Sequence, residues 1–228
     1  MPIFHNMRFI ESIISFQVTT FSTVEDFWAL YNHIEFASKL GMGCDYSLFK
    51  QGIKPMWEDP LNKDGGRWLI SVDKRYRAAY LDTFWLEIMM CLIGKWEIIQ
   101  FYWLPKFSTF FIDLFFSGEA YSEFGNIVNG AVVNVRAKGD KISLWLSESV
   151  DRQAIMSVGK VIKSRLGLEF QICFEVHKDN MNKNSSAIRS KYIIWSEQTK
   201  NFILRESTKN SSLGENQQHT SYSDTFQY

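Results

Sequence analysis

Residues 131–146 read A-V-V-N-V-R-A-K-G-D-K-I-S-L-W-L. Two apolar runs, 131–136 and 141–146, flank a turn containing Gly139-Asp140, a pattern that predicts a β-hairpin. Arg136, Lys138 and Lys141 gather at its tip. Three cations at one turn can bind a phosphate, although such a cluster is more often a solvated edge that guards against strand pairing. Working outward, Trp68, Ile70 and Val72 alternate with Ser71 and Asp73 as a second strand. Phe170, Ile172, Phe174 and Val176 alternate with Glu169, Gln171 and Glu175, which predicts a strand with one wet face, and 191–195 fits a last one. Between them, Val150, Ala154, Ile155, Val158, Val161, Ile162 and Leu166 trace an amphipathic helix ended by Gly167. Residues 78–93 predict another, stopped by Gly94, on which only Asp82, Thr83 and Glu87 suit water. Strands that alternate their faces and join by hairpin turns give an α+β fold, an antiparallel sheet with helices on one side.

The stretch 52–68, G-I-K-P-M-W-E-D-P-L-N-K-D-G-G-R-W, cannot be regular. Pro55, Pro60, Gly65 and Gly66 make it a surface loop. A loop tryptophan, Trp57, stands directly before Glu58 and Asp59. An indole beside a carboxylate suits a flat, cationic, donor-bearing ligand: the ring stacks and the carboxylate accepts hydrogen bonds in the ligand plane. A tryptophan lid folded back on the core accounts for the same residues. Upstream, Ser22-Thr23-Val24-Glu25 has capping-box spacing and predicts a helix start. Phe27, Leu30, Tyr31 and Ile34 form one stripe, and Val24 with Trp28 widens it. A wide stripe means either deeper burial or a surface for a partner.

At 228 residues and 46% hydrophobic content the chain is globular, and its formal net charge of zero implies no general field toward nucleic acid or membrane. Any RNA contact must then come from a local patch. Three scattered cysteines (Cys44, Cys91, Cys173) suit reduced thiols in the cytosol or nucleus, and four histidines show no metal-ligand spacing. Residues 1–20 show no clear period; Arg8 and Glu11 break any signal-peptide core, and order is expected from Phe21 onward. Residues 95–117 are rich in aromatic residues without holding either period, and Glu97, Pro105, Lys106 and Asp113 argue against a membrane span. Beyond about residue 200 the chain is polar and is expected to be disordered.

The chain resembles the cap-binding translation initiation factors 4E. The resemblance rests on F-S-T-V-E-D-F-W-A-L-Y-N-H-I (21–34), C-D-Y-S-L-F-K-Q-G-I-K-P-M-W-E-D (44–59), G-G-R-W-L-I (65–70), F-W-L-E (84–87) and G-A-V-V-N-V-R-A-K-G-D-K (130–141). It implies a curved antiparallel sheet backed by three helices on its convex face, over 21–194, with 1–20 divergent and 195–228 a tail. It further implies that Trp57 stacks on the 7-methylguanosine cap of messenger RNA and that Glu58 accepts the base's N1 and N2 protons. Arg136 and Lys141 would meet the phosphates, supported by Arg67 and Lys138. Val24, Trp28, Leu86 and Met90 would dock a short helix of the initiation scaffold or of a repressor protein.

That implies a cytoplasmic binding protein, with the nucleus as a second location, that is not an enzyme and uses no cofactor, metal or membrane. Glu58-Asp59 is a single acidic pair, without the Glu cluster that metal-dependent diphosphate hydrolysis needs. Two departures accompany the resemblance. The family stacks the cap between two tryptophans, and no Trp precedes Trp28 here, which implies weakened cap affinity. A module that binds partners without effective cap binding, or a non-functional splice product, is the alternative. Residues 95–117 interrupt the family pattern, and their Phe, Leu and Ser runs are what a pyrimidine tract before a 3′ splice site encodes. The hypothesis is that 95–117 is translated intron and 1–20 a mispredicted or alternative first exon; both segments lying in exons shared by related species would sink it.

Overall fold

A computed structural model describes residues 7–11, 16–93, 124–181 and 190–195. Its strands are β1 (Met7–Glu11), β2 (Phe16–Phe21), β3 (Asp45–Lys50), β4 (Gly66–Val72), β5 (Val128–Asn134), β6 (Asp140–Leu146), β7 (Ile172–Val176) and β8 (Tyr192–Ile194). The helices are α1 (Val24–Tyr31), α2 (Asp82–Ile93), α3 (Arg152–Arg165) and the short α4 (His177–Met181). The strands form one antiparallel sheet in the order β2-β1-β3-β5-β6-β4-β7-β8. The described part of this body ends at Ile194; Leu168–Gln171 and Trp195 belong to a separate unit.

Register divides the sheet into two faces, because directly opposed residues in antiparallel strands share a side and neighbours along a strand alternate. One lateral row runs Leu48, Ala131, Leu144, Trp68, Phe174, and the next but one runs Tyr46, Val133, Ile142, Ile70. All nine are buried. This is the face the helices cover. Trp68 Nε1 donates to the Ile155 carbonyl of α3 at 3.0 Å, and α2 lies against β5. The interleaved rows differ in character: Asp45, Asn134, Lys141, Ser71 in one, and a mixture of rings and charges, Phe49, Gly130, Trp145, Arg67, Glu175, in another. That second face of the curved sheet positions the site.

Several elements depart from the sequence expectation. Strands β1, β2 and β3 occupy stretches where no period announced them; β1 lies within 1–20 and β2 starts there and ends at Phe21, so order begins well before Phe21. The cap of α1 is Thr23, one residue beyond the expected Ser22: its hydroxyl accepts from the Asp26 amide at 3.2 Å. The helix expected over 78–93 begins as a wider π turn, Arg77–Leu81, before α2 proper. Asp82 faces not water but Ser38, accepting from its amide at 2.8 Å and from its hydroxyl. Glu175, expected on a wet face, is 4% exposed. Gly94, 95–117 and the tail lie outside the described residues.

Gly159 shows how tightly the helix layer is fitted. A Cβ built there would stand 2.4 Å from the Trp68 ring, which is fully buried. Alanine is ordinarily the better helix former by about 1 kcal/mol, yet overpacking a core typically costs about 1–3 kcal/mol. Gly159→Ala is therefore expected to lower the unfolding free energy in a denaturant titration; an increase would mean that Trp68 moves freely beneath α3.

Candidate functional site

The loop between β3 and β4 holds its irregular path through buried polar groups. Asp59 accepts from the Lys54 and Leu61 amides, each at 2.9 Å. Asn62, wholly buried, donates to the carbonyls of Lys54 at 2.7 Å and Met56 at 3.0 Å. Asn129 of β5 donates to the Asn62 side-chain oxygen at 2.9 Å and to the Leu61 carbonyl at 2.7 Å, riveting the loop to the sheet. The two neighbouring acids thus divide. Asp59 is consumed by loop structure, whereas Glu58 is exposed.

Trp57 is half-buried and rests on a cluster of Phe49, Ile53, Val132 and Trp145, on the face opposite the helices. Gly130 makes that cluster possible. It lies between Phe49 and Trp145 in the row, and a Cβ there would meet the Phe49 ring at 2.5 Å. Without one, the two rings close edge to face at 5.5 Å. Arg67 completes the support, with its guanidinium carbon 5.8 Å from the Trp57 ring centroid. The guanidinium is in turn held by Glu175 through Nη2 at 3.1 Å and Nε at 3.3 Å. So Arg67 stands against the indole with its charge compensated.

Beneath this pair lies His177, wholly buried, its ring 4.3 Å from that of Trp145. Neither ring nitrogen has a hydrogen-bond partner among the described residues. Burial, reinforced by the Arg67 cation, pushes its pKa down to about 4.

The β5–β6 tip gathers the expected cations, but each differently. Arg136 clamps Asp45 with two hydrogen bonds, at 2.6 and 3.0 Å, and that bond raises its pKa above the ordinary arginine value. Lys138 and Lys141 are exposed. Lys141 shares its face and its strand with Trp145, four residues on, so about 13 Å of strand separates it from the ring cluster on which Trp57 rests. The tip is pinned by Asp140, 1% exposed, which accepts from Arg77 at 2.6 and 2.7 Å and from the Arg136 amide at 3.1 Å. Arg77 also donates to the Arg136 carbonyl at 3.1 Å.

On the helical side, α1 buries only Phe27. Val24 and Trp28 remain half-exposed, as does Leu86 on α2, while Met90 is 6% exposed. Glu87 sits beside Leu86, and burial raises its carboxyl pKa against the opposing pull of Arg165. Sequence reading missed Asp45, Arg77, Asp140, Glu175 and His177. Of these only Asp140, inside a recognised turn, carried a local signal.

A single sheet covered by helices on one face, with an aromatic shelf, an exposed carboxylate and a basic tip on the other, has the build of a ligand-binding protein. The family model for eukaryotic initiation factor 4E matches residues 12–192, and the chain belongs to that family. It is 45% identical to human eukaryotic translation initiation factor 4E over 179 residues, which are 78% of this chain and 71% of that one. Among solved structures it resembles Ascaris suum eIF4E-3 with the m7G cap, with a TM-score of 0.69 and 37% identity over 86% of this chain and 98% of that one. It also resembles Schistosome eIF4E complexed with m7GpppA and 4E-BP, with a TM-score of 0.66 and 31% identity over 85% of this chain and 98% of that one.

The buried imidazole makes stability depend on pH. Its folded pKa lies below its unfolded value of 6.5, so the unfolded chain binds a proton first as pH falls. The contribution of neutral His177 is fully present above pH 6.5 and is lost progressively down to pH 4, an upper bound of roughly 3 kcal/mol. His177→Gln is expected to flatten the fall in unfolding free energy across that window. An unchanged pH profile would mean that the ring is hydrated.

Proposed function

We propose that this chain binds the 7-methylguanosine cap of messenger RNA on its helix-free face and docks a helical segment of an initiation scaffold or repressor on its helical face. The observation that carries the cap reading is the Trp57 shelf: a half-buried ring, backed by Arg67 and packed on Trp145, with Glu58 exposed next to it. A methylated guanine is planar, cationic and rich in in-plane donors. Trp57 would stack on it and Glu58 would accept from it. Glu175 matters here, since an uncompensated Arg67 would set a second cation against the same indole. The triphosphate would extend toward Lys141, Lys138 and Arg136, and Asp45 would share Arg136 with it.

The family is one of binding proteins, and the chain is read as a binding protein rather than an enzyme. As a translation factor it would act in the cytoplasm and, like its thiols, suit a nuclear setting as well. Among the described residues no helix is long and apolar enough to cross a membrane. Affinity is proposed to be weaker than where two tryptophans sandwich the base, because no Trp precedes Trp28; the β1–β2 connection at 12–15 lies outside the described residues. For the second surface, the support is α1: a helix that buries one residue and leaves Val24 and Trp28 half-exposed, with Leu86 half-exposed on α2, offers anchors for a short amphipathic helix.

Glu58→Gln is expected to weaken 7-methyl-GTP more than GTP, by about tenfold against little change, because a charged acceptor gains most from a cationic base. Titration of both ligands checks it, and equal losses would remove Glu58 from base recognition. Trp28→Ala should reduce binding of a helical 4E-binding peptide by about 2 kcal/mol or more while leaving 7-methyl-GTP affinity within twofold. Calorimetry of both ligands reads it out; an unfolded variant would make Trp28 a core residue instead.

A further inference from the structure

Neither proposed surface uses the aromatic ladder that leads into α2. Tyr76, Tyr80 and Phe84 follow one another at intervals of four, with ring centroids 6.0 Å and then 5.5 Å apart, the second pair stacked within 17° of parallel. Tyr76 is 51% and Tyr80 47% exposed. The sequence around them, D-K-R-Y-R-A-A-Y (73–80), interleaves cations with rings in a chain whose overall charge is zero.

We propose that Tyr76 and Tyr80, with Lys74 and Arg75, form a stacking platform for the single-stranded RNA that follows the cap. The inference rests on the cap-binding reading. Its first support is continuity. The turn that carries the ladder is bonded to the tip that would hold the cap phosphates, through Arg77 to Asp140 at 2.6 and 2.7 Å and to the Arg136 carbonyl at 3.1 Å. The tip itself lies against the end of β4, where a Cβ on Gly139 would stand 3.3 Å from the Val72 carbonyl. Lys141 pairs with Ser71 near the end of β4, and the chain that follows exposes Asp73, Lys74, Arg75 and Tyr76.

The second support is charge. Arg75 pairs with Asp73 at 3.0 Å, but the two side chains are 78% and 48% exposed. An ion pair so open to water is weak and readily exchanged for a phosphate. Arg75 also lies over the Tyr76 ring, 5.7 Å from its centroid. Cations beside exposed aromatic faces are what sequence-tolerant single-strand binding requires, since every base has a face to stack. A peptide helix is the less suitable occupant. Phe84 precedes Leu86 by two residues, about 200° around α2, so the ladder runs on a different side from the apolar anchors.

The test compares 7-methyl-GTP with a capped, unstructured ten-nucleotide RNA, using fluorescence titration of the full chain at one salt concentration. The capped RNA should bind about tenfold more tightly. Joint replacement of Tyr76 and Tyr80 by Ala should abolish most of that advantage and leave 7-methyl-GTP affinity unchanged, whereas joint replacement by Phe should retain it. Equal affinity for the two ligands in the unaltered chain overturns the inference alone, as does an advantage that survives the Ala pair. Loss of 4E-binding peptide affinity in the Ala pair, with RNA binding unmoved, assigns the ladder to a protein and overturns it too. If neither 7-methyl-GTP nor capped RNA binds, the cap reading falls and takes this inference with it.

Discussion

Asp140 is the constraint on which both faces depend. A carboxylate buried in protein is strongly unfavourable unless compensated, and removing one partner of such a pair typically costs about 3–5 kcal/mol. Here the compensation comes from Arg77, at the entry to α2, and from the backbone amide of Arg136, at the head of the hairpin tip. One side chain therefore fixes the basic tip on one face relative to the helix that carries Leu86 and Met90 on the other. The π turn at Arg77–Leu81 belongs to the same arrangement, for it delivers Arg77 toward the sheet while Leu81 is buried.

The proposed ligand face is assembled from compensated charges. Arg136 is held by Asp45, and Arg67 by Glu175, so the guanidinium groups are oriented before any ligand arrives. Such preorganisation lowers the ordering cost of binding. It also distributes the roles. Lys138 and Lys141, exposed at the tip, supply the mobile charge, whereas Arg67 stiffens the indole. Trp57 gains its rigidity from below as well, since the Phe49–Trp145 contact closes only because Gly130 has no side chain.

Much of this was legible in the sequence, and the reasons are local. The hairpin at 131–146 announced itself through alternation and a Gly-Asp turn, and its cations fall at the tip. The three helices followed from apolar stripes, with an error of a few residues where a π turn replaced the first helical turn. What escaped was long-range. Glu175 alternates like a solvent-facing residue and is buried only because Arg67, 108 positions earlier, stands opposite it. Nothing near His177 signals that it will lie under Trp145. Strands β1 and β2 carry no period, and their place comes from pairing instead, β1 in register with β3 and β2 with β1. Asp45–Lys50 escaped for a related reason: Tyr46, Ser47, Leu48 and Phe49 are all buried, so neither face reads as wet.

The proposed ligand face rests on a cationic base stacking on Trp57. Titrating the chain with 7-methyl-GTP while following tryptophan emission tests it most directly, with Trp57→Ala run alongside. Saturable quenching is expected in the unaltered chain and, in the variant, a loss of affinity of at least about tenfold, as stacking on a base is worth roughly 1–3 kcal/mol. Binding that persists within twofold after Trp57 is removed would contradict it, and would leave that ring as a lid over Phe49 and Trp145.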